Sequence, residues 1–335
     1  MKKLLALVLA LSLALTACGG GAPAKEPAKD PAATPDAAAA APAKEAKLDF
    51  GTGGTTGTYY AYGGVLSQII SEKVPGLTIT VQSTGASKAN ILGVSDGEMQ
   101  LGLVQNDVMS YAYKGTDLFE GDAITNFSVV GALYAEVCQI VTTGDIKTIE
   151  DLKGKRVSVG DAGSGVEFNA RQILEAYDIK FEDIKVNNLG FGDSADAIKD
   201  GKIDAFFCTA GAPTTAIVEL ATTKGINLLE IDTAHADKLA KAYPYYTTFK
   251  VPGGSYKGVD KDVQTVAIKA TIIVGNDVAE ETVYNFTKAL FENKADITAA
   301  HAKGAELDAK YAVAGVSSVP FHPGAAKYYK EVGAI

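Results

Sequence analysis

A repeated order of strand, glycine-rich loop and helix is the feature that most constrains how this chain can fold. In the first half, a short strand at 48–50 leads into the loop 51–58, and a helix with one apolar side follows it to near Lys73. In the second half, a strand at 156–159 and a glycine loop at 160–165 again precede an apolar-sided helix. Strands that alternate with helices build parallel sheets, so the pattern predicts an α/β fold.

Matching turns indicate that the pattern is used twice, in two successive lobes. Asp96 and Gly97 form a turn before a strand in the first half, and Asp200 and Gly201 do so in the second. The body of the chain is long enough for one large or two medium α/β domains. Two lobes of similar α/β design are therefore predicted, with one continuous doubly wound sheet as the alternative.

Two long apolar runs, 137–143 and 266–274, are interpreted as strands that cross between the lobes and form a hinge. With this interpretation, lobe 1 begins at 48–136 and lobe 2 spans 137–276. The remaining residues, 277–335, are predicted to form helices that return to lobe 1 and cover its sheet.

The N-terminal segment is typical of an exported lipoprotein. Lys2 and Lys3 precede an apolar run at 4–15, which is too short to span a bilayer as a mature helix. The small residues before Cys18 resemble a lipobox, which implies that residues 1–17 are a signal peptide and that Cys18 carries a diacylglycerol. An ordinary signal peptide with a chance cysteine is the alternative.

The stretch 18–47 is rich in Ala, Pro, Lys and Glu and cannot bury enough apolar surface to order itself. It predicts a flexible tether between the lipid anchor and the folded body. We therefore expect an extracytoplasmic protein that is anchored to the cell membrane by its lipid, and we expect it to be a monomer.

Charge and cysteine content limit the partners of the chain. The formal net charge of −9 argues against binding to nucleic acid and against an electrostatic hold on anionic lipid. Besides Cys18, the chain has only Cys138 and Cys208. These two are interpreted as buried thiols, with a disulfide as the alternative in an oxidising compartment.

Five strand-to-helix loops are predicted to form a ligand site. In open α/β sheets, ligands bind beyond the carboxyl ends of the strands, where helices begin. Helix starts leave backbone N–H groups unpaired and carry the positive end of the helix dipole, so several of them together favour an anion. Ordinary helix capping is the alternative for any single loop. The five loops are 51–58, 83–87, 105–107, 161–165 and 209–212.

The residues in and beside these loops are the candidates for ligand contact. The glycines allow the backbone to approach a ligand closely, and Ser, Thr, Asn and Gln donate hydrogen bonds. Tyrosines are candidates for the walls of the pocket, with core packing as the alternative. The predicted ligand-binding residues are Gly54, Thr55, Thr56, Thr58, Tyr59, Thr84, Gln105, Asn106, Tyr134, Ser164, Gly165, Thr209, Ala210, Gly211 and Tyr246.

The sequence contains no recognisable catalytic or metal-binding motif. The three histidines are scattered, and neither Cys-x-x-Cys nor His-Glu-x-x-His spacing occurs. The only two arginines, Arg156 and Arg171, lie away from the loops, so an arginine clamp on a carboxylate is not expected. The chain is therefore predicted to bind a small carboxylate without a cofactor or metal, and not to be an enzyme.

Several motifs, in order along the body, resemble the TAXI family, the extracytoplasmic substrate-binding subunits of one branch of TRAP transporters. The resemblance extends from residue 48 to residue 333. A single one of these motifs would be weak, but their order is specific. The matching segments are 51–60 (GTGGTTGTYY), 80–87 (TVQSTGAS), 103–107 (LVQND), 151–160 (DLKGKRVSVG), 163–165 (GSG), 204–213 (DAFFCTAGAP), 243–246 (YPYY) and 322–329 (HPGAAKYY).

The resemblance implies a two-lobed, periplasmic-binding-protein-like fold of type II, with the ligand cleft between lobes that hinge strands join. It implies a receptor that closes on glutamate, glutamine, pyroglutamate or 2-oxoglutarate and delivers it to a permease driven by an ion gradient. The lipobox and tether differ from the freely diffusing members and suggest a Gram-positive cell, with a Gram-negative envelope as the alternative. Two functional alternatives remain: a receptor for an ABC permease or sensor kinase, and a secreted enzyme on the same scaffold.

Overall fold

The structure is a computed structural model that describes residues 45–335. The predicted signal peptide, Cys18 and nearly all of the predicted tether lie outside the described residues. The last predicted tether residues, 46 and 47, belong to the first strand, which begins at Ala46 rather than at Leu48. The strand is longer than predicted because Ala46 and Lys47 continue the pairing with the neighbouring strand at Leu77 and Thr78.

Ten strands and eleven α-helices make up the described part of the chain. The strands are β1 (Ala46–Gly51), β2 (Leu77–Gln82), β3 (Leu101–Gln105), β4 (Phe127–Thr142), β5 (Arg156–Ser158), β6 (Lys185–Asn187), β7 (Ala205–Ala210), β8 (Asn227–Leu228), β9 (Thr247–Val251) and β10 (Val263–Gly275). The helices are α1 (Thr58–Lys73), α2 (Ser87–Ser95), α3 (Asn106–Lys114), α4 (Gly165–Ala176), α5 (Phe191–Lys199), α6 (Thr215–Thr223), α7 (Thr233–Ala242), α8 (Glu280–Glu292), α9 (Lys294–Ala300), α10 (Ala309–Val313) and α11 (Pro323–Glu331).

The strands form a mixed sheet whose two halves have the same internal order. Along the sheet the strands follow the order β2-β1-β3-β10-β4-β7-β5-β6. In the first half β2, β1 and β3 are parallel, and in the second half β6, β5 and β7 are parallel. The antiparallel strands β10 and β4 lie between the two parallel groups. The predicted α/β fold with two similar halves is confirmed.

The strands β4 and β10 belong to both halves because each changes partner along its length. The start of β10 pairs with β9 at 263–267, and its end pairs with β3 at 270–274. The end of β4, from Val137 onward, pairs with β7. β4 is longer than the predicted run 137–143 because it begins at Phe127 in the first half. β10 is longer than the predicted run 266–274 mainly at its start, where residues 263–265 pair with β9.

Separate hydrophobic cores lie beneath the two halves. One core joins Phe50 of β1 and Leu66 of α1 with Phe286 of α8 and Tyr329 of α11, so the C-terminal helices pack on the first half. Another joins Val157 of β5 with side chains of α4 and α7 in the second half. Each fully buried large apolar side chain contributes roughly 1.5–3 kcal/mol to folding, which makes these cores the main source of stability.

Helix boundaries follow local signals in the sequence. In α1 the buried side chains of Tyr62, Leu66 and Ile70 recur every four residues and face the core. The helix ends at Lys73, shortly before Pro75. Between residues 45 and 335, no helix combines the length and the hydropathy that crossing a bilayer requires.

Candidate functional site

A cleft of about 530 Å³ opens where the loops after several strands of both halves meet. Its lining residues lie at or after the carboxyl ends of β1, β2, β3, β5, β6 and β7, or come from the middle of β4. They are Gly53, Gly54, Gly57, Thr58, Tyr59, Ala86, Ser87, Gln105, Glu136, Asp161, Ser164, Gly165, Val166, Phe191, Thr209 and Ala210.

All five predicted loops contribute to this cleft, although not with every predicted residue. The shared position at the carboxyl ends of strands explains why loops far apart in the chain meet here. The predicted residues that line the cleft are Gly54, Thr58, Tyr59, Gln105, Ser164, Gly165, Thr209 and Ala210. The predicted residues that do not line it are Thr55, Thr56, Thr84, Asn106, Tyr134, Gly211 and Tyr246.

Four of the residues outside the cleft have polar groups that bond elsewhere in the protein. The Thr84 hydroxyl donates to the carbonyl of Thr52 at 2.9 Å. The amide oxygen of Asn106 accepts from the backbone N–H of Lys269 at 3.0 Å. The carbonyl of Gly211 accepts from the hydroxyl of Thr58 at 3.2 Å, so Gly211 holds the side chain of Thr58, which lines the cleft. The fourth residue, Tyr246, forms its hydrogen bonds within the second half.

Two of the tyrosines that were predicted as pocket walls, Tyr134 and Tyr246, are core residues, whereas Tyr59 lines the cleft. The Tyr246 hydroxyl accepts from Asn169 at 2.9 Å and donates to Gln172 at 2.8 Å, in the interior of the second half. Tyr134 is fully buried and packs edge to face on Tyr62, with 5.6 Å between the ring centroids. The alternative for these tyrosines, core packing, describes both positions.

Sequence reasoning missed several lining residues, of which Glu136 is the most unusual. It is the only acidic residue in β4, a strand that is otherwise apolar or neutral, and its side chain is 1% exposed. A lone carboxyl group within a buried strand was a signal that the sequence contained. Asp161 is another acidic lining residue, whereas the nearby Glu167 accepts from the backbone N–H of Gly163 at 2.7 Å.

Helix starts surround the cleft. Gly57 and Thr58 begin α1, Ala86 and Ser87 begin α2, and Ser164 caps α4 by accepting from the N–H of Glu167 at 3.3 Å. The positive ends of these helix dipoles favour an anion in the cleft. Ala86 also has a φ of +65°, an uncommon value for alanine, and such strained residues concentrate at binding sites.

Three buried polar atoms at the cleft make no hydrogen bond of good geometry in the protein, although the side chains of Tyr59 and Gln105 lie close enough to Glu136 to favour its charged form. They are the hydroxyl of Tyr59, the side-chain oxygen of Gln105 and Oε2 of Glu136, in side chains that are 8%, 2% and 1% exposed. An unpaired buried polar group costs roughly 1–3 kcal/mol, and native proteins rarely tolerate several together. A polar ligand in the cleft would provide the missing partners.

The electrostatics of the cleft are set by burial rather than by cations. None of the described lining residues is Lys or Arg. Burial raises the pKa of Glu136 well above its ordinary value, and burial together with Asp193 raises the pKa of Asp161. Within residues 45–335, no three side chains of the metal-binding types His, Cys, Asp and Glu come together as a metal site.

Neither arginine reaches the cleft. Arg156 forms a bidentate ion pair with Asp204, in which Nη2 lies 2.6 Å from Oδ1 and Nε lies 3.1 Å from Oδ2. Arg171 pairs with Glu167 at 3.7 Å and lies over the ring of Phe181. The expectation that no arginine clamp holds the ligand agrees with these positions.

The two cysteines in the described part of the chain are buried free thiols, as expected from the sequence, and the disulfide alternative is wrong. In the pairing of β4 with β7, Cys138 lies opposite Thr209 and Cys208 lies opposite Gln139. Neighbouring positions in a sheet point to opposite faces, so the two sulfurs belong to different cores.

Comparison with known proteins agrees with the fold. A family model described as the NMT1-like family matches residues 50–333. The alkanesulfonate-binding protein SsuA from Xanthomonas axonopodis pv. citri, bound to MOPS, is 16% identical over 86% of this chain and 84% of its own, with a TM-score of 0.51. A protein of Bordetella bronchiseptica RB50 is 15% identical over 86% of this chain and 82% of its own, with a TM-score of 0.53. The chain belongs to the NMT1-like family and has the two-lobed α/β fold of periplasmic binding proteins.

Proposed function

We propose that this protein is an extracytoplasmic solute receptor that captures a small acid between its lobes and delivers it to a membrane permease. The observation that carries this proposal is the group of three unpaired, buried polar atoms in a cleft surrounded by helix starts. Such a cleft fits a ligand with at least one anionic group and several hydrogen-bonding atoms. Binding, rather than catalysis, is the proposed activity.

The ligand is proposed to be a small carboxylate, and glutamate, glutamine, pyroglutamate and 2-oxoglutarate are the first candidates. The alkanesulfonate-binding protein with the same fold, which was solved with MOPS bound, supports an anionic ligand in general. Because the described lining residues include neither Lys nor Arg, backbone amides and neutral side chains are the proposed groups that hold the anion.

Two classes of permease are candidates for the partner. Neither the matching family nor the two solved neighbours is described as a TRAP receptor. The alternative, a receptor for an ABC permease or sensor kinase, therefore fits the comparisons better than the TRAP interpretation does. The ordered sequence motifs that resemble the TAXI family favour the TRAP permease as the second candidate, and transport assays with each class of membrane protein distinguish the two.

The proposed mechanism is closure of the lobes around the ligand. Lobe 1, at 48–136 and 277–335, and lobe 2, at 137–276, would rotate about the middle of β4 and β10, where both strands change partner. A ligand shifts this equilibrium only if it binds the closed form better than the open form. The proposed lipid anchor at Cys18 would keep the receptor, as a monomer, near its permease.

A thermal-shift screen of the full chain tests the proposal. The panel contains L-glutamate, L-glutamine, pyroglutamate, 2-oxoglutarate and MOPS, with glucose as a non-ionic control. A ligand at one hundred times its Kd stabilises the folded state by about 2.7 kcal/mol, which is visible as a higher Tm. A shift with glucose alone contradicts the anion argument, and turnover of any panel member favours the enzyme alternative.

The location of the site is tested by two helix-cap variants that have matched effects on stability. Ser164→Ala removes the cap of α4 at the cleft, and Asp308→Ala removes the cap of α10, which accepts from the N–H of Tyr311 at 2.8 Å. Each change costs about 1 kcal/mol of stability. We expect only Ser164→Ala to weaken ligand binding, and equal binding by both variants would contradict the assigned site.

A further inference from the structure

We propose that Glu136 is a ligand-contacting residue that acts as a neutral carboxylic acid and donates its proton in a hydrogen bond to an anionic oxygen of the ligand. This inference rests on the proposed function, since it assigns the group that holds the anion in a cleft without cationic lining residues. It adds a residue and a protonation state that neither the fold nor the family description specifies.

Glu136 is a buried residue that borders the cleft. The residue lies in the middle of β4, just before Val137, where this strand begins to pair with the second half. Its side chain is 1% exposed, and Oε2 makes no hydrogen bond of good geometry in the protein. It lines the same cavity as Tyr59 and Gln105, which carry the other two unpaired atoms. Glu136 and the two other residues that carry unpaired atoms therefore border the same cavity.

The groups around Glu136 leave it without a dedicated cation. Tyr59 of α1, Gln105 of β3 and Lys303 each favour the charged form, whereas Asp107 of α3 opposes it. Lys303 is engaged with Glu306 at 2.6 Å, so its charge is shared with another carboxylate. The remaining titratable groups that interact with this carboxyl are Tyr134, Tyr311, Cys138 and Cys208, and burial favours the neutral form of every one of them.

Burial favours the neutral form of Glu136. Removal of the carboxyl from water is the largest effect on its pKa, and it raises the pKa well above the ordinary value of a glutamate. A neutral carboxylic acid has one O–H donor, which a carboxylate lacks. An ionised Glu136 would repel an anionic ligand at close range, whereas the neutral acid attracts it.

Two substitutions at Glu136 separate its donor role from a charged role. Glu136→Gln keeps the size and one donor but cannot ionise, and Glu136→Ala removes the donor. In calorimetric titrations of the full chain with L-glutamate and with 2-oxoglutarate, we expect Glu136→Gln to bind within about threefold of the wild type. We expect Glu136→Ala to bind roughly tenfold to a hundredfold more weakly, the loss typical of a hydrogen bond to a charged group.

The outcomes of this titration are distinct. Loss of binding in Glu136→Gln as large as in Glu136→Ala means that a negative charge is required, which overturns the proposal. Unchanged binding in Glu136→Ala means that the side chain does not contact the ligand, which also overturns it. If the wild type binds no small acid at all, the proposed function fails first and this inference fails with it. Circular dichroism and Tm measurements on both variants verify that they fold.

Infrared spectroscopy gives a readout that does not depend on ligand affinity. The difference between the spectra of the wild type and Glu136→Gln at pH 7 isolates the carboxyl group at this position. We expect the C=O stretch of a protonated carboxylic acid in the wild type. A carboxylate band in its place would overturn the proposal, even if the wild type binds the ligand tightly.

Discussion

At the scale of single residues, Gly165 is a position at which the two halves approach each other closely. It lies at the first position of α4 in the second half, and its backbone faces the side chain of Gln105 from the first half. A Cβ at Gly165 would overlap the Gln105 amide. Glycine is needed here for close approach, because it has no Cβ to separate the two halves.

Replacement of this glycine should disturb ligand binding more than folding. We expect Gly165→Ala to displace Gln105 and to weaken ligand binding at least about tenfold, while the protein stays folded because the obstructed group is a flexible side chain. Gly64→Ala in α1 is the matched control, since a Cβ there meets no atom within 4 Å. Calorimetric titration with L-glutamate provides the measurement, and equal affinities of both variants would contradict the expectation.

At the scale of elements, a polar network joins α3 of the first half to α4 of the second. Asn169 donates to Oδ2 of Asp107 at 3.1 Å, and Gln172 donates to the hydroxyl of Tyr111 at 3.0 Å. The rings of Tyr111 and Phe168 stack between the same helices, with 5.9 Å between their centroids. Asp107 has no exposed surface, and burial, as the largest effect, raises its pKa to about 7.

This shift predicts lower stability at higher pH. Between about pH 4, where the carboxyl titrates in the unfolded chain, and pH 7, the folded state keeps a proton on Asp107 that the unfolded state has lost. Stability therefore falls as pH rises through this window. We expect roughly 2–3 kcal/mol less stability at pH 8 than at pH 5 from this group alone.

The variant Asp107→Asn removes this contribution, together with the smaller effect of Asp107 on the pKa of Glu136, whereas acids that do not interact with Asp107 act equally in both proteins. Urea denaturation of the full chain at pH 5 and pH 8 gives the free energy of unfolding for each. The loss of stability between the two pH values should be smaller in Asp107→Asn. The same loss in both proteins would mean that Asp107 is ionised in the folded state throughout this range.

At the scale of the whole molecule, the two halves are held together by the continuous strands β4 and β10 and meet across the cleft. Besides the contacts of α3 with α4, the hydroxyl of Thr58 in the first half donates to the carbonyl of Gly211 in the second. Thr56 and Gly192 also face each other, since a Cβ on Gly192 would lie 3.8 Å from the Cβ of Thr56. The structure is thus that of a cleft with its two sides in contact.

A disulfide across this contact should hold the cleft shut. A Cβ separation of 3.8 Å is about the mean for disulfides, so the double variant Thr56→Cys with Gly192→Cys can form one. If ligand entry requires the lobes to separate, the oxidised variant should bind at least about tenfold more slowly, and a reductant should restore the rate. Tyrosine fluorescence can follow binding, because the chain has 15 tyrosines and no tryptophan. Equal rates before and after reduction would contradict lobe opening.

Local sequence patterns were sufficient for the elements and for the class of the site. The periodicity of Tyr62, Leu66 and Ile70 determines a helix with one buried face. The glycine and hydroxyl residues after β1, β2, β5 and β7 mark helix starts at the carboxyl edge of the sheet. These signals involve residues that are close together in the sequence, so they do not depend on the tertiary structure. The predicted α/β fold, the five loops and eight of the lining residues depend only on them.

Only the tertiary structure decided which of these residues share the cleft. Thr84, Asn106 and Tyr246 carry the same chemistry as the lining residues, but their polar groups bond to partners 32 to 163 positions away in the chain. Glu136 entered the site because β4 passes through both halves, and its neutral state depends on burial by elements that are remote in sequence. Periodicity along a chain determines which face of an element is buried, whereas the partner of each polar atom is determined by long-range packing.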